Sequence, residues 1–346
     1  MSLRKLLHSL GVLPGGLTNS MASFKERHNT MRIDVHAHYF PETYLDLLER
    51  FGNGATDVAR NRGAGGSHAE LEARLELMDS ANVQMQVLSV SPQLPYLEDE
   101  AHAVEAARAV NDLYADLVQR YPTRFAAFAA APLPHINAAL AEIARALDHL
   151  HMVGVTVATS ILGRSLADPE FEPLYAELDR REAVLYIHPA GVSACSPLIA
   201  DYGLTWPIGA PIEDTISATQ LIFKSIPVRY PHIKIINSHL GGALPMLLQR
   251  LDNQYRWVAP QMTEPPSAQA RRMWYDTVGH FHVPALRCAC ESLGADRLVL
   301  GTDFPYLAGD RYRRSVAYID DAGLSMSDAH RILDTNAAAL LHLEKR

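Results

Sequence analysis

The sequence predicts an α/β fold, a closed (β/α)8 TIM barrel. Eight short runs rich in apolar and β-branched residues alternate along the chain with amphipathic helical patterns. Strands that alternate with helices form parallel sheets with both faces covered, and eight such units suggest a closed barrel. Several of the runs end in histidine or aspartate, and barrel enzymes place their active sites at these strand ends.

The predicted strands share this apolar composition and lie at 32–38, 83–90, 124–132, 154–160, 183–189, 233–239, 274–279 and 297–303. Between them apolar residues recur every three or four positions, as in the stretches 101–122 and 136–152, which predicts helices. A doubly wound open sheet is the alternative architecture. The sequence after the first strand has no glycine-rich phosphate loop, which weakens the nucleotide-binding form of that alternative.

The first thirty residues differ from the rest of the chain. They have a basic start and a short apolar run, LLHSLGVL, but no clear cleavage site, so they resemble a targeting segment only faintly. We predict a poorly ordered extension over residues 1–30 and one barrel domain over 31–346, since α/β barrels of this length form single domains.

The composition is ordinary for a globular protein, with 48% hydrophobic and 20% charged residues and a net charge of −8. The chain has no basic stripe and no apolar run of about 18 residues, so we expect neither nucleic-acid binding nor a membrane span. The three cysteines, Cys195, Cys288 and Cys290, do not form a disulfide framework. Reduced thiols are typical of a cytoplasmic protein.

Five polar residues lie at the carboxyl ends of four predicted strands: His36 and His38 on the first, His188 on the fifth, His239 on the sixth and Asp303 on the eighth. Residues two apart on a strand share a face, so both histidines of the first strand can face the barrel mouth. One such histidine alone is usually structural, but the constellation is typical of a metal site. Three imidazoles and a carboxylate suit a divalent ion such as zinc, with an open position for water or substrate.

The stretches IDVHAHYFP, LYIHP, INSHLGGALP and RLVLGTDFPY resemble the amidohydrolase superfamily. Within it they are most similar to the amidohydrolase-related branch, which includes aminocarboxymuconate-semialdehyde decarboxylase and the hydroxyaromatic acid decarboxylases. The resemblance covers about residues 31–343 and implies a TIM barrel of the metal-dependent hydrolase type. It implies one metal ion bound by His36, His38, His188 and Asp303, with His239 as a nearby acid/base residue rather than a tight ligand.

Many binuclear members of the superfamily carry a bridging carboxylated lysine at the end of strand four. This chain reads GVTVATSILG there and has no lysine in that stretch, which favours a single metal ion. We expect that ion to be zinc, with manganese as the second choice.

The resemblance further implies a metal-dependent, non-oxidative decarboxylase, a carbon–carbon lyase that acts on an aromatic or muconate-type carboxylic acid. Its catalytic residues would be His239 and Asp303. Two routes remain open: Asp303 protonates the ring carbon before CO2 leaves, or hydroxide formed at the metal with help from His239 adds to the substrate. The alternative function is a metal-dependent hydrolase of a lactone, ester or amide, because the same hydroxide could attack a carbonyl group. A barrel that only binds ligands is a third, less favoured interpretation.

Four residues are candidates for substrate binding. Arg60 and Arg62 lie in the loop after the first strand, and arginine binds carboxylates through two parallel hydrogen bonds. Trp206, in the long loop after strand five, would cap an aromatic substrate or contact a second subunit. Phe304, next to Asp303, would line the pocket mouth or pack in the barrel. The resemblance also suggests a homodimer, with the loop after strand five and the C-terminal helices as contacts.

Overall fold

The computed structural model describes residues 31–343, so the predicted extension over residues 1–30 lies outside the described residues. Eight strands form one parallel sheet. They are β1 Arg32–His38, β2 Val83–Ser89, β3 Phe125–Ala130, β4 Gly154–Ala158, β5 Val184–His188, β6 Lys234–Asn237, β7 Trp274–Asp276 and β8 Leu298–Val299. Each overlaps one predicted strand, in the predicted order.

The sheet closes on itself between β1 and the segment that follows β8. Each strand pairs in parallel with the next along the chain. The Val35 N–H donates to the carbonyl of Leu300, and the Asp303 N–H donates to the carbonyl of His36, both at 2.8 Å. These bonds join the two edges, so the predicted barrel is confirmed and the open-sheet alternative is wrong.

Helices connect the strands and cover the outside of the barrel. They are α1 Glu42–Arg50, α2 His68–Ser80, α3 Glu100–Arg120, α4 Ile136–Asp148, α5 Glu172–Arg180, α6 Pro197–Ala200, α7 Ala210–Phe223, α8 Ile226–Arg229, α9 Leu244–Val258, α10 Pro266–Ala270, α11 Val283–Leu293, α12 Asp310–Asp320, α13 Met326–His330 and α14 Asn336–Leu340. The predicted helical stretches correspond to α3 and α4. The start of α2 is fixed by a capping box between Ser67 and Glu70, which satisfies backbone N–H groups of the first turn.

A compact apolar cluster fills the barrel below the metal site. It takes side chains from six strands: Ile33, Val35, Met85, Val87, Ala126, Phe128, Val184, Tyr186, Ile236 and Val299. The ring of Tyr186 lies edge-on to the ring of His36, with 5.6 Å between the centroids. The site therefore rests on a solid core, as expected for a barrel interior filled by layers of side chains.

Seven of the eight strands end before their predicted last residue, and two of these differences involve candidate site residues. β6 ends at Asn237, and His239 begins a 3-10 turn, His239–Gly241. β8 ends at Val299, four residues before Asp303. His239 and Asp303 have φ values of +52° and +62°, in the left-handed region that extended strands do not enter. Within the described chain, no helix combines the length and apolar character that crossing a membrane requires.

Candidate metal centre and active site

The four predicted metal ligands converge at the carboxyl end of the barrel. His36, His38, His188 and Asp303 each offer one ligand atom, and these atoms all lie within 4.8 Å of one another. All four residues are buried. Since the strands that carry them are far apart in sequence, barrel closure alone brings them together.

A local irregularity in β1 directs both of its histidines into the barrel. The pairing of β1 with β2 shifts register between Asp34 and Ala37. The Asp34 carboxylate secures this segment, because it accepts hydrogen bonds from the N–H groups of His36 at 3.1 Å and Thr302 at 3.0 Å. Such bulges re-aim side chains next to active sites. Asp34 therefore connects the histidine pair to Thr302, the residue before Asp303.

Asp276, at the end of β7, is a site residue that the sequence analysis missed. Its Oδ2 accepts a hydrogen bond from His36 Nδ1 at 2.7 Å, and its Oδ1 accepts one from the N–H of His239 at 2.9 Å. A carboxylate behind a metal-binding histidine fixes the ring and directs its other nitrogen to the ion. The only sequence signal was a charged residue within the apolar strand WYDTV.

The donor atoms fit a divalent cation. His36 Nε2 is buried without a hydrogen-bond partner among the described residues, although it lies 3.3 Å from Asp303 Oδ1. His38 Nε2 lies at the same distance from that oxygen. His188 donates from Nδ1 to the carbonyl of Pro189 at 3.0 Å, which leaves Nε2 for the ion. Three imidazole nitrogens around one carboxylate oxygen are the ligands that zinc and related ions prefer.

The electrostatics of the site also favour a cation. Burial lowers the pKa of His36, but the charges of Asp276 and Asp303 outweigh it and raise the pKa to about 10. Burial raises the pKa of Asp303, yet the close imidazole groups of His36 and His38 hold that pKa well below its usual value. The carboxylates therefore create a negative potential at this point, which a divalent ion would neutralise.

His239 lies beside the four ligands and has its own carboxylate partner. Its Nδ1 donates to Asp214 Oδ2 at 2.8 Å, and its ring centroid is 5.2 Å from that of His36. Burial lowers the pKa of His239, but the charge of Asp214 raises it above its usual value. The sequence analysis also missed Asp214, which lies on α7, because it falls in the long loop predicted after strand five. His239 and Asp214 thus form a hydrogen-bonded His–Asp pair, and His239 lines the cavity.

These residues open onto a cavity of about 660 Å³, which is large enough for a small aromatic ligand. Its wall includes His188, His239 and Asp303, together with the predicted residues Arg62 and Trp206. Arg62 donates from Nε to the carbonyl of Val58 at 3.2 Å, and it has no ion pair among the described residues.

Tyr306 is another wall residue that the sequence analysis missed. Its hydroxyl is buried without a hydrogen-bond partner among the described residues. Its only sequence signal was its place three residues after Asp303. His280 also lines the cavity.

Two residues predicted to bind substrate lie elsewhere. Arg60 pairs with Asp46 at 2.7 Å and Glu49 at 2.9 Å and is not part of the cavity wall. Phe304 is 5% exposed. The guanidinium carbon of Arg74 lies over its ring, 4.5 Å from the ring centroid. Arg60 therefore has ion-pairing contacts and Phe304 has packing contacts, both outside the cavity wall.

Comparison with known proteins agrees with this geometry. The sequence profile of the family described as Amidohydrolase matches residues 33–343, almost the whole barrel. The chain belongs to this amidohydrolase family. The predicted resemblance is therefore confirmed. It is also seen in the curated relatives and the solved structures that match this chain.

The relatives include gamma-resorcylate decarboxylase of Rhodococcus jostii, which is 28% identical over 303 residues, 79% of this chain and 88% of the relative. They also include 2-amino-3-carboxymuconate-6-semialdehyde decarboxylase of Dictyostelium discoideum, which is 25% identical over 302 residues, 81% of this chain and 83% of the relative. A dihydroxybenzoic acid decarboxylase of a Polaromonas species, solved with bound manganese and 2-nitroresorcinol, superposes with a TM-score of 0.77 at 25% identity. The match covers 92% of this chain and 98% of that one.

The predicted enzyme class is confirmed by these comparisons: this amidohydrolase is a metal-dependent, non-oxidative decarboxylase, a carboxy-lyase. The structure adds a site that can bind a metal ion.

Proposed function

We propose that this amidohydrolase removes CO2 from a hydroxylated aromatic acid at one divalent ion, held by His36, His38, His188 and Asp303. One observation carries the proposal. The four buried ligand atoms lie within 4.8 Å of one another beside a cavity whose wall also supplies the guanidinium of Arg62. The names of the gamma-resorcylate and dihydroxybenzoic acid decarboxylases support a hydroxylated ring as the substrate.

When bound, the ion would supply a Lewis acid that holds oxygen atoms of the substrate and stabilises negative charge as CO2 leaves. We propose zinc as the physiological ion and manganese as the second choice. Three imidazole donors favour zinc, whereas the manganese in the Polaromonas structure supports the second choice.

Arg62, Tyr306 and Trp206 would position the substrate. Arg62 could bind a carboxylate, because its terminal nitrogens are not engaged in ion pairs with described residues. The unpartnered hydroxyl of Tyr306 could donate a hydrogen bond to a phenolic or carboxylate oxygen, and satisfying this buried group would favour such a ligand. The indole of Trp206 offers an aromatic face to the ring.

Two residues would transfer protons. Asp214 orients His239 and favours its charged form, so His239 can deliver or accept a proton through Nε2. Asp303 faces the cavity next to the ligand nitrogens. Because its pKa is low, it would first take a proton from a hydroxyl group of the substrate and then pass that proton to the ring carbon before CO2 leaves. In the other route His239 would accept a proton from water, the resulting hydroxide would add to the substrate, and the adduct would then collapse with loss of CO2.

The proposal is tested with protein purified without added metal. Elemental analysis should find about one divalent ion per chain, and a panel of hydroxybenzoates and muconate-type acids should yield CO2 with at least one hydroxybenzoate. Release of a new carboxylate from a lactone or ester panel, without CO2 from any acid, would instead establish the hydrolase alternative.

Substitutions separate a metal ligand from a residue that only transfers protons. We expect His239→Asn to retain most of the metal while turnover is abolished, because the residue acts beside the ion. We expect Asp303→Asn to lose both metal and turnover. Loss of stoichiometric metal in His239→Asn would make His239 a ligand.

Three further predictions belong to this proposal. We propose a cytoplasmic enzyme, supported by three cysteines without disulfides, and a homodimer, supported by exposed apolar side chains on the loop after β5 and on α9. We also retain one barrel domain over 31–346 that follows an extension over 1–30.

A further inference from the structure

A second cavity of about 320 Å³ lies directly beside the cavity that contains the proposed metal site. The two share wall residues, Val58 and Trp206. One layer of side chains therefore separates them. The second cavity reaches outward to Leu162, whose side chain is 41% exposed, so it lies between the active site and the surface.

The wall of the second cavity is uncharged. None of its lining residues is Asp, Glu, Lys, Arg or His. Two of its polar side chains have partners: Gln93 donates from Nε2 to the carbonyl of Ala55 at 3.0 Å, and the hydroxyl of Tyr96 accepts from the N–H of Ala158 at 3.1 Å. A charged group would find no counter-ion on this wall, so the space suits an uncharged, mainly apolar group.

The position of the Trp206 ring depends on a close contact with the backbone. A Cβ atom at Gly191 would lie only 2.6 Å from Cη2 of this ring. Gly191 has a φ of +74°, and its N–H donates to Glu213 Oε2 at 3.0 Å. Glu213 is itself buried. The glycine therefore provides a fixed surface on which the ring lies.

We propose that Trp206, together with Val58, is a partition that determines the size of substrate this enzyme accepts. The partition closes off an apolar subsite that would otherwise bind an uncharged alkyl or alkenyl substituent on the substrate ring. This inference rests on the proposed function, since it takes the larger cavity as the place of the hydroxylated ring. Compact rings fit beside Trp206, and rings with longer chains are excluded by it.

The test uses hydroxybenzoates that carry methyl, propyl or pentyl at one ring position. The readout is the ratio of kcat/KM for the pentyl and methyl compounds, which cancels general damage to the enzyme. We expect this ratio to be low in the wild type and to rise by at least about tenfold in Trp206→Ala, because each methylene buried in the opened subsite adds a factor of about three to four. Val58→Ala, on a surface loop, should raise the ratio by less than Trp206→Ala does. Trp206→Phe should give a ratio between those of the wild type and Trp206→Ala.

Leu162→Trp provides the matched control, because it fills the second cavity from its exposed edge. Adding it to Trp206→Ala should abolish the gain for pentyl while the methyl compound is still accepted. A pentyl-to-methyl ratio that is equal in the wild type, Trp206→Ala and Val58→Ala would overturn the inference. So would a gain that survives in the double variant.

A binding series distinguishes failure of the inference from failure of the proposed function. Calorimetric titration with alkylphenols of increasing chain length requires no turnover. Affinity should rise with chain length in Trp206→Ala and not in the wild type. If the wild type decarboxylates no hydroxybenzoate, the proposed substrate class is wrong, and this titration still decides whether Trp206 separates the two cavities.

Discussion

Asp276 connects three parts of the site through one buried carboxylate. It orients His36 by accepting from Nδ1, and it accepts from the backbone N–H groups of His239 and Val278 at 2.9 and 3.0 Å. Burial raises the pKa of this carboxyl, but the charge of His36 outweighs it and holds the pKa below its usual value. At the scale of single residues, one buried carboxylate therefore aligns His36, a proposed metal ligand, with His239, the histidine proposed to transfer protons.

We predict that Asp276→Asn weakens metal binding about 10- to 100-fold, as expected when the partner of a metal-binding histidine is neutralised. Competition with a chelating dye measures the change. Tyr186→Phe is the matched control, because the Tyr186 hydroxyl approaches the same Oδ2 only at 3.4 Å and its loss should have little effect. Equal affinity in wild type and Asp276→Asn would contradict the role given to Asp276.

At the scale of elements, the turn after β6 is packed tightly against α7. A Cβ atom at Gly242 would lie 2.0 Å from the carbonyl oxygen of Pro211, and Gly242 has a φ of +63°. This turn carries His239, and α7 carries Asp214. The close contact of backbone with backbone therefore sets the distance between the histidine and its carboxylate.

We predict that Gly242→Ala destabilises the fold by more than about 2 kcal/mol and removes most activity, because the turn must move away from α7. Gly309→Ala is the control: Gly309 has nearly the same backbone angles, φ 56° and ψ −129° against 63° and −123°, but a Cβ there would have nothing within 4 Å. Denaturant unfolding of both variants separates the clash from backbone strain. If both lose the same stability and activity, contact with α7 is not the cause.

At the scale of the whole molecule, the proposed ion would link β1, β5 and the segment after β8. These are distant in sequence, so a ligand shared by all three binds the folded chain and not the unfolded one. Binding of this kind stabilises a protein in proportion to the logarithm of ligand concentration.

We predict that zinc or manganese at about 1,000 times Kd raises the melting temperature of chelator-treated protein by several degrees, on the order of 5–10 °C. Calorimetry at a fixed scan rate measures the shift. His280→Asn should keep it, because His280 lines the cavity but is not among the four ligands. His188→Ala should lose it, and an equal shift in both variants would place the ion elsewhere.

The whole molecule also has large apolar side chains in contact with solvent. Leu198 and Tyr202, on the loop after β5, are 77% and 75% exposed, and Trp257 on α9 is 82% exposed. Exposed apolar groups that cluster commonly mark a protein interface.

We predict that sedimentation gives the mass of two chains and that Leu198→Glu with Tyr202→Glu gives one, because charge opposes burial of this loop. Met326→Glu, on α13, tests the C-terminal helices, which are the other predicted contact. A wild-type monomer at micromolar concentration would contradict the homodimer.

The sequence by itself determined the barrel and the positions of the four candidate ligands. Strand and helix periodicity are local properties that the sequence shows directly. Because a parallel barrel places the carboxyl ends of all its strands on one rim, the sequence alone assigned His36, His38, His188 and Asp303 to that rim. The confirmed decarboxylase class came from motifs at these same strand ends.

Only the tertiary structure decided which other side chains face that rim. Asp276 lay within a predicted strand and Asp214 lay in the long loop predicted after strand five. Their hydrogen bonds depend on contacts between β1, β7 and α7. Arg60 and Arg62 are two residues apart in one loop, yet one pairs with α1 acids and the other lines the cavity. Loop direction and long-range packing set these contacts, and neither leaves a pattern in the local sequence.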